Sequence, residues 1–344
     1  MNIKSLLIGS AAALAAVSGA QAADAIVAAE PEPLEYVRVC DAFGAGYFYI
    51  PGTETCLRIG GEVRATVAFG EDIGGLAPGG RSSDWNSQVR ARVFFDTKTD
   101  SELGTIGTYI RLEGDYRPRD GNSSSSLELE QAWVSVGGLT AGKVLTWWDD
   151  IGIYGELDAF EAATNFNTVN YLYDAGTFRI GVGINDLSGE YSDRAGSEFG
   201  LQGYAQVDFG SANAALRGVY DNEAEEGAIY ATLVAPIGPG TLELGAGWSS
   251  GDNVYVDRFD SDFAATSYEW TVSGSYALKA TEKLTIAPSL AYWSTQDNND
   301  IWGVGVLAEY QLATGLKVGA TVDYVSPDVG DDNTSGFLRL TRSF

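Results

Sequence analysis

The chain has 344 residues, with 47 acidic and 21 basic side chains, a formal net charge of -26 and no histidine. That charge excludes nucleic acid as a partner, because neutralising phosphates needs a basic face. The missing histidine removes Ser-His-Asp and Cys-His catalysis and every histidine-containing metal site. The acids carry no enzymatic motif, so neither a catalytic residue nor a cofactor is expected.

The chain opens with Lys4 ahead of an apolar stretch from Leu6 to Val17, followed by Ser18-Gly19-Ala20-Gln21-Ala22. This pattern predicts a signal peptide over 1–22 and a mature start at Ala23, since the apolar core is too short for a spanning helix. A segment over 23–56 follows, with Cys40 and Cys56. In an exported chain these two predict a disulfide. The alternative, a reactive thiol pair, lacks the Cys-x-x-Cys spacing.

From 57 to 344 the sequence alternates apolar and polar residues in short runs punctuated by Gly, Asn, Asp and Ser, which is strand periodicity. The runs fall at 57–69, 85–97, 104–116, 127–136, 139–146, 168–174, 177–185, 199–209, 212–221, 227–236, 241–249, 267–278, 283–294, 301–312, 315–325 and 336–344. In 267–278, Tyr268, Trp270, Val272, Gly274, Tyr276 and Leu278 share one face, and Ser267, Glu269, Thr271, Ser273, Ser275 and Ala277 share the other. Phe178, Ile180, Val182 and Ile184 alternate in the same way with Arg179, Gly181, Gly183 and Asn185, as do Leu316, Val318, Ala320, Val322 and Tyr324 with Lys317, Gly319, Thr321 and Asp323. One face suits lipid and the other water. Aromatics at the ends of apolar faces, Tyr268 and Tyr276 or Trp302 and Tyr310, suggest two interfacial girdles; the alternative is the core of a soluble sandwich.

Short connections at Gly137-Gly138, Ala175-Gly176 and 236–240 alternate with long polar ones at 70–84, 117–126, 186–198, 250–266 and 326–335. The fold expected is all-β: a sixteen-stranded antiparallel transmembrane β-barrel over 57–344, wide enough to keep an aqueous lumen.

The stretch Val39 to Arg64, with both cysteines and the run Gly46-Tyr47-Phe48-Tyr49-Ile50-Pro51-Gly52-Thr53, closely resembles the opening of the alphaproteobacterial porins of brucellae and rhizobia. Gln131-Ala132-Trp133-Val134 and the terminal Arg342-Ser343-Phe344 resemble that family as well. The resemblance implies a homotrimer of barrels in outer-membrane lipid and lipopolysaccharide, each barrel with its third external loop folded inward, passing small hydrophilic solutes and ions by passive diffusion. Phe344 then serves as the signal read by the outer-membrane barrel assembly machinery, although Arg342 stands where that signal usually has an aromatic.

Alternation points Arg64, Arg90, Arg92 and Arg111 into the lumen as a ladder on three adjacent strands. The third loop, from about Trp147 to Thr168, brings Asp149, Asp150, Glu156, Asp158 and Glu161 to face it, and Ile153, Leu157, Phe160 and Ala163 have the spacing of a short helix. Alternatively, these charges are separately solvated. Glu113 and Asp115 also face inward and partly neutralise the ladder. A general diffusion pore with mild cation preference is expected. The alternative is a solute-specific channel for sugars or anions, but the lumen-facing aromatics Tyr109, Tyr204 and Trp293 are scattered among strands.

Overall fold

Alternation dictates a sheet with two unlike faces, and a sheet that closes on itself leaves no edge for lipid to solvate. A computed structural model of the chain describes residues 38–70, 85–119, 122–149, 151–157, 159–190, 198–261 and 264–344. The signal peptide expected over 1–22, Asp150 and Asp158 lie outside the described residues. The strands are β1 (Phe48–Tyr49), β2 (Cys56–Phe69), β3 (Trp85–Thr99), β4 (Ile106–Arg119), β5 (Asn122–Val136), β6 (Leu139–Leu145), β7 (Asn165–Asp174), β8 (Phe178–Asp186), β9 (Phe199–Phe209), β10 (Ala212–Asp221), β11 (Glu226–Ile237), β12 (Gly240–Ser249), β13 (Arg258–Ser261), β14 (Ala264–Lys279), β15 (Leu284–Thr295), β16 (Asp300–Ala313), β17 (Leu316–Pro327) and β18 (Asn333–Ser343).

Successive strands pair antiparallel, β12 passes over β13 to pair with β14, and β18 returns to β2 with Leu340 opposite Ala65. Among the described residues, sixteen strands, β2 to β12 and β14 to β18, therefore close a barrel. Each of the sixteen expected runs overlaps one of them. The fourth begins earlier than expected, at Asn122, and the sixth at Asn165.

Burial follows the alternation. On β17, Val322 is 49% exposed on the outside while Thr321 and Asp323 are 2% and 1% exposed on the inside. Val169, Ile180, Val182, Leu201, Val304 and Leu338 are likewise exposed, a band of apolar surface far larger than a soluble chain leaves bare. At the seam, Phe344 and Gly61 exchange two backbone hydrogen bonds of 3.0 Å, and the Phe344 ring faces outward.

Three bulges interrupt the ladders among the described residues; one lies between Gln311 and Ala313 near the end of β16, and the other two turn a residue inward. Tyr268 pairs with Thr295 and Trp270 with Ser294, so one residue is gained on β14 and Tyr268 turns inward, fully buried. This corrects its expected place in the outer girdle; Trp270 stays outside. On β5, Gln131 opposes Arg111 while Leu129 opposes Leu112, which leaves Glu130 as the extra residue and turns it into the lumen beside Gln131.

The segment before the barrel is stapled to it. Cys40 and Cys56 form a disulfide with Cα atoms 6.0 Å apart, and β1 pairs with the start of β2. Tyr47 donates its hydroxyl to Asp96, and Arg58 Nη2 lies 2.9 Å from the same carboxylate. Burial, then Asp96, push the Tyr47 hydroxyl up to about 12.

Candidate functional site

β6 has only 7 residues, and the chain then leaves the wall at Thr146 and regains it at Asn165. The described part of 146–164 contains no helix. Gly152 and Gly155 are poor helix formers, and Gly155 has φ +151°. The apolar spacing that suggested a helix serves docking instead: Ile151, Leu157 and Phe160 are fully buried, and Ile153 is buried too.

They dock across the barrel interior. Trp148, Ile151, Leu157 and Phe160 join one apolar cluster with Tyr230, Tyr255, Phe259, Tyr268, Trp293 and Val325. Phe160 lies between Trp148 and Tyr230, at ring separations of 6.1 and 5.8 Å. Glycine makes room for it: a Cβ on Gly247 would stand 2.8 Å from the Phe160 ring. Backbone bonds complete the attachment, with Ala162 and Ala163 donating to the carbonyls of Tyr255 and Val254 at 2.9 and 3.1 Å, and Trp293 Nε1 donating to the Ala159 carbonyl at 2.5 Å.

Further along the wall, the Tyr154 amide donates to Glu243 at 2.7 Å and its hydroxyl donates to Glu309, which Lys317 holds at 2.6 Å. Burial pushes the Tyr154 hydroxyl up, and Glu309 adds to the shift. Glu156 sits 3.6 Å from Arg339 on β18. Burial raises its carboxyl above the usual range, while Arg339 pulls it back.

Arg64, Arg90, Arg92 and Arg111 line the wall made by β2, β3 and β4, as alternation requires, but their partners are acids of the wall itself. Arg64 lies 3.1 Å from Glu62; Arg90 lies 3.1 Å from Glu113 and 3.2 Å from Asp115. Arg92 bonds Glu113 and lies 3.0 Å from Glu130, which also accepts from Arg111. The ladder is thus a chain of ion pairs that bridges strands.

The loop acids divide by role. Asp149 accepts from Thr164 Oγ1 at 2.7 Å and Glu161 from the Ile151 amide at 3.1 Å, so both brace the loop internally. Glu156 pairs with Arg339 on β18, outside the expected ladder, and the charge of Arg64 in the ladder acts on its carboxyl as well. Arg339 was legible in principle, because Leu338 and Leu340 on the outside force it inward. Glu130 was not, because its orientation depends on the bulge.

The lumen aromatics are less scattered than their sequence positions suggest. Phe94, Tyr109 and Trp133 stack on neighbouring strands at 5.6 and 5.4 Å, and Trp147 stacks on Tyr204 at 5.6 Å.

The pattern of the porin subfamily matches residues 24–337. A putative outer membrane protein, y4fJ, of Sinorhizobium fredii is 45% identical, the alignment covering 100% of this chain and 99% of that protein. Outer membrane protein IIIA of Rhizobium leguminosarum is 38% identical over 98% and 93% of the two chains, and porin Omp2a of Brucella suis is 35% identical over the whole of both. Among solved structures, the outer membrane channel DcaP of Acinetobacter baumannii is similar with TM-score 0.67 at 15% identity, over 86% of this chain and 99% of that one. The anion-selective porin of Comamonas acidovorans follows with TM-score 0.64 at 13% identity, over 85% and 100%. These two share the fold, whereas the sequence matches fix the lineage. This chain belongs to the porin subfamily and is an outer-membrane protein.

Proposed function

We propose that this channel is a general diffusion pore whose narrowest section lies between the inward segment 146–164 and the arginine-bearing wall of β2, β3 and β4. The observation that carries the reading is the docking of that segment against the far wall, with Phe160 and Leu157 buried and the ion-paired wall left bare of apolar cover. A solute there passes fixed guanidinium and carboxylate groups on one side and backbone with Glu156 on the other. Polar solutes exchange water for these groups, while apolar ones disturb ordered water without compensation.

Net charge favours cations at the mouth, and the paired arginines keep the preference mild. The Comamonas porin carries the opposite selectivity in its name, so selectivity does not follow from the shared fold. Stacking occupies the faces of Phe94, Tyr109 and Trp133 against one another, which supports the general pore over a solute-specific aromatic track. The same reading includes a signal peptide over 1–22, a homotrimer in outer-membrane lipid and lipopolysaccharide, and delivery by the barrel assembly machinery through Phe344.

Reversal potentials in planar bilayers test it. Replacing Asp149, Asp150, Glu156, Asp158 and Glu161 by their amides should shift selectivity toward anions. Replacing Arg90 and Arg92 by Gln should shift it toward cations, with both shifts largest in dilute salt. Unchanged potentials at low ionic strength would place these residues outside the limiting section.

A further inference from the structure

Much of the attachment of the inward segment is made to a part of the chain that is not barrel wall. β12 ends at Ser249 and β14 begins at Ala264, and the described part of the external connection between them turns into the lumen. Tyr255 and Val256 in that connection are buried in the apolar cluster, and Phe259 on β13 joins them. Val256 stands opposite Glu161 in an antiparallel bridge. Ala162 and Ala163 donate to this connection, and the Asp257 amide returns a bond of 3.0 Å to the Phe160 carbonyl. The Tyr255 carbonyl also accepts from Trp148 Nε1 at 2.8 Å, so both ends of the inward segment meet on one residue.

Residues 254–257 thus lie as a short extended run between the inward segment and the wall. On their far side the Tyr268 amide donates to the Asp257 carbonyl at 3.1 Å, and that bond leaves β14 where the bulge turns Tyr268 inward.

Such a run needs an anchor, because the entropy of ordering a loop works against holding it in the lumen. Asp221, the last residue of β10, supplies one. Its side chain is fully buried: Oδ1 accepts from the amides of Glu223 and Ala224 at 3.0 and 3.2 Å, and Oδ2 accepts from the Val254 amide at 3.1 Å. Bonds from backbone N–H groups to a carboxylate are roughly twice as strong as those between neutral groups. Asn253 fixes the bend just before the run. Its Nδ2 donates to Ser249 Oγ at 3.0 Å and to the Gly251 carbonyl at 2.9 Å, while its Oδ1 accepts from the Tyr255 amide at 3.1 Å. Deeper in the lumen, Asn185 Nδ2 donates to the Tyr255 hydroxyl at 2.9 Å, in space that exists because residue 200 is glycine.

We infer that Asp221 is a positioning residue of the pore: acting through Val254 and Tyr255, it holds the external connection against the inward segment and so sets where that segment lies. Its effect on conduction rests on the reading of 146–164 as one side of the narrowest section, whereas the anchoring itself does not.

Two readouts separate the anchor from the pore. Leu157→Cys places a thiol at a fully buried position of the inward segment, and its modification by a water-soluble maleimide in the folded channel reports release of the segment. Adding Asp221→Ala should speed that modification at least several-fold, with heat-modifiable migration showing an intact barrel. Where Asp221→Ala fails to assemble, Asp221→Asn is read in its place, since it keeps an acceptor oxygen for Glu223 and Ala224 and sets an amide N–H against the Val254 amide. In planar bilayers the Asp221 variant without the added thiol should show a higher mean conductance with open-channel noise. An unchanged rate of modification overturns the inference whatever the conductance does. Faster modification with parental conductance upholds the anchor and overturns instead the reading of 146–164 as the limiting section.

Discussion

Phe160→Ala isolates what holds the inward segment in place. The ring is fully buried, lies between Trp148 and Tyr230, and fills the space that Gly247 leaves open. Truncating such a ring costs about 3 to 5 kcal/mol, which is roughly a hundredfold to several thousandfold in the equilibrium between docked and released segment. Trp148, Ile151 and Leu157 remain as anchors, so the segment should visit released states rather than detach outright. The expected record in a planar bilayer is a higher mean conductance with fast open-channel noise, while heat-modifiable migration shows a barrel as stable as the parent's. Phe160→Leu, which keeps most of the buried volume, should give a smaller change in the same direction. A quiet channel of parental conductance, together with a barrel that unfolds earlier, would show that the ring supports the wall and not the segment.

Two further outcomes are expected. Replacing Cys40 and Cys56 by Ser removes a cross-link worth about 3 kcal/mol; proteolysis between 38 and 55 should accelerate while single-channel conductance stays at the parental value. Because burial raises the Glu156 carboxyl, the docked segment binds a proton more tightly than the released one. That stabilisation is complete below the ordinary glutamate range and is lost as pH rises through the raised value. Glu156→Gln should therefore quieten the channel at neutral pH and flatten the pH dependence seen in the parent. A noisier variant at neutral pH would mean that attraction to Arg339 outweighs the cost of burial.

What the sequence revealed was whatever depends on a period of two. The strand count, the inward arginines and the outward row Val318, Ala320 and Val322 all follow from alternation, since a strand has no other way to separate lipid from water. Tyr268 and Glu130 were misread or overlooked because each sits at a bulge, and one inserted residue reverses the alternation without any local mark. The helix expected in the inward segment failed for a different reason. Leu157 and Phe160 are spaced to meet a wall built by residues about seventy or more positions away, such as Tyr230 and Trp293, and spacing alone does not separate the two causes. The partners of the arginines lay between these extremes. Glu113 and Asp115 were visible on the same strand pair, whereas the meeting of Glu156 and Arg339 required the chain to cross the barrel.

The seam between β18 and β2 also says how this chain reaches its shape in time. Apart from it, the barrel seams among the described residues join strands that follow one another, save for the small detour around β13. Most of the sheet can therefore form as hairpins, each closing a short loop on a microsecond scale. The pairing of Ala65 with Leu340 instead ties a loop of roughly 270 residues, whose closure entropy is about 5 kcal/mol plus a constant. Until that step the growing sheet has two free edges and the adhesion of any open strand. A conformational search made of many local steps ends on one distant one, so the interval between the last hairpin and the seam is when a bystander strand can compete with β18 for β2.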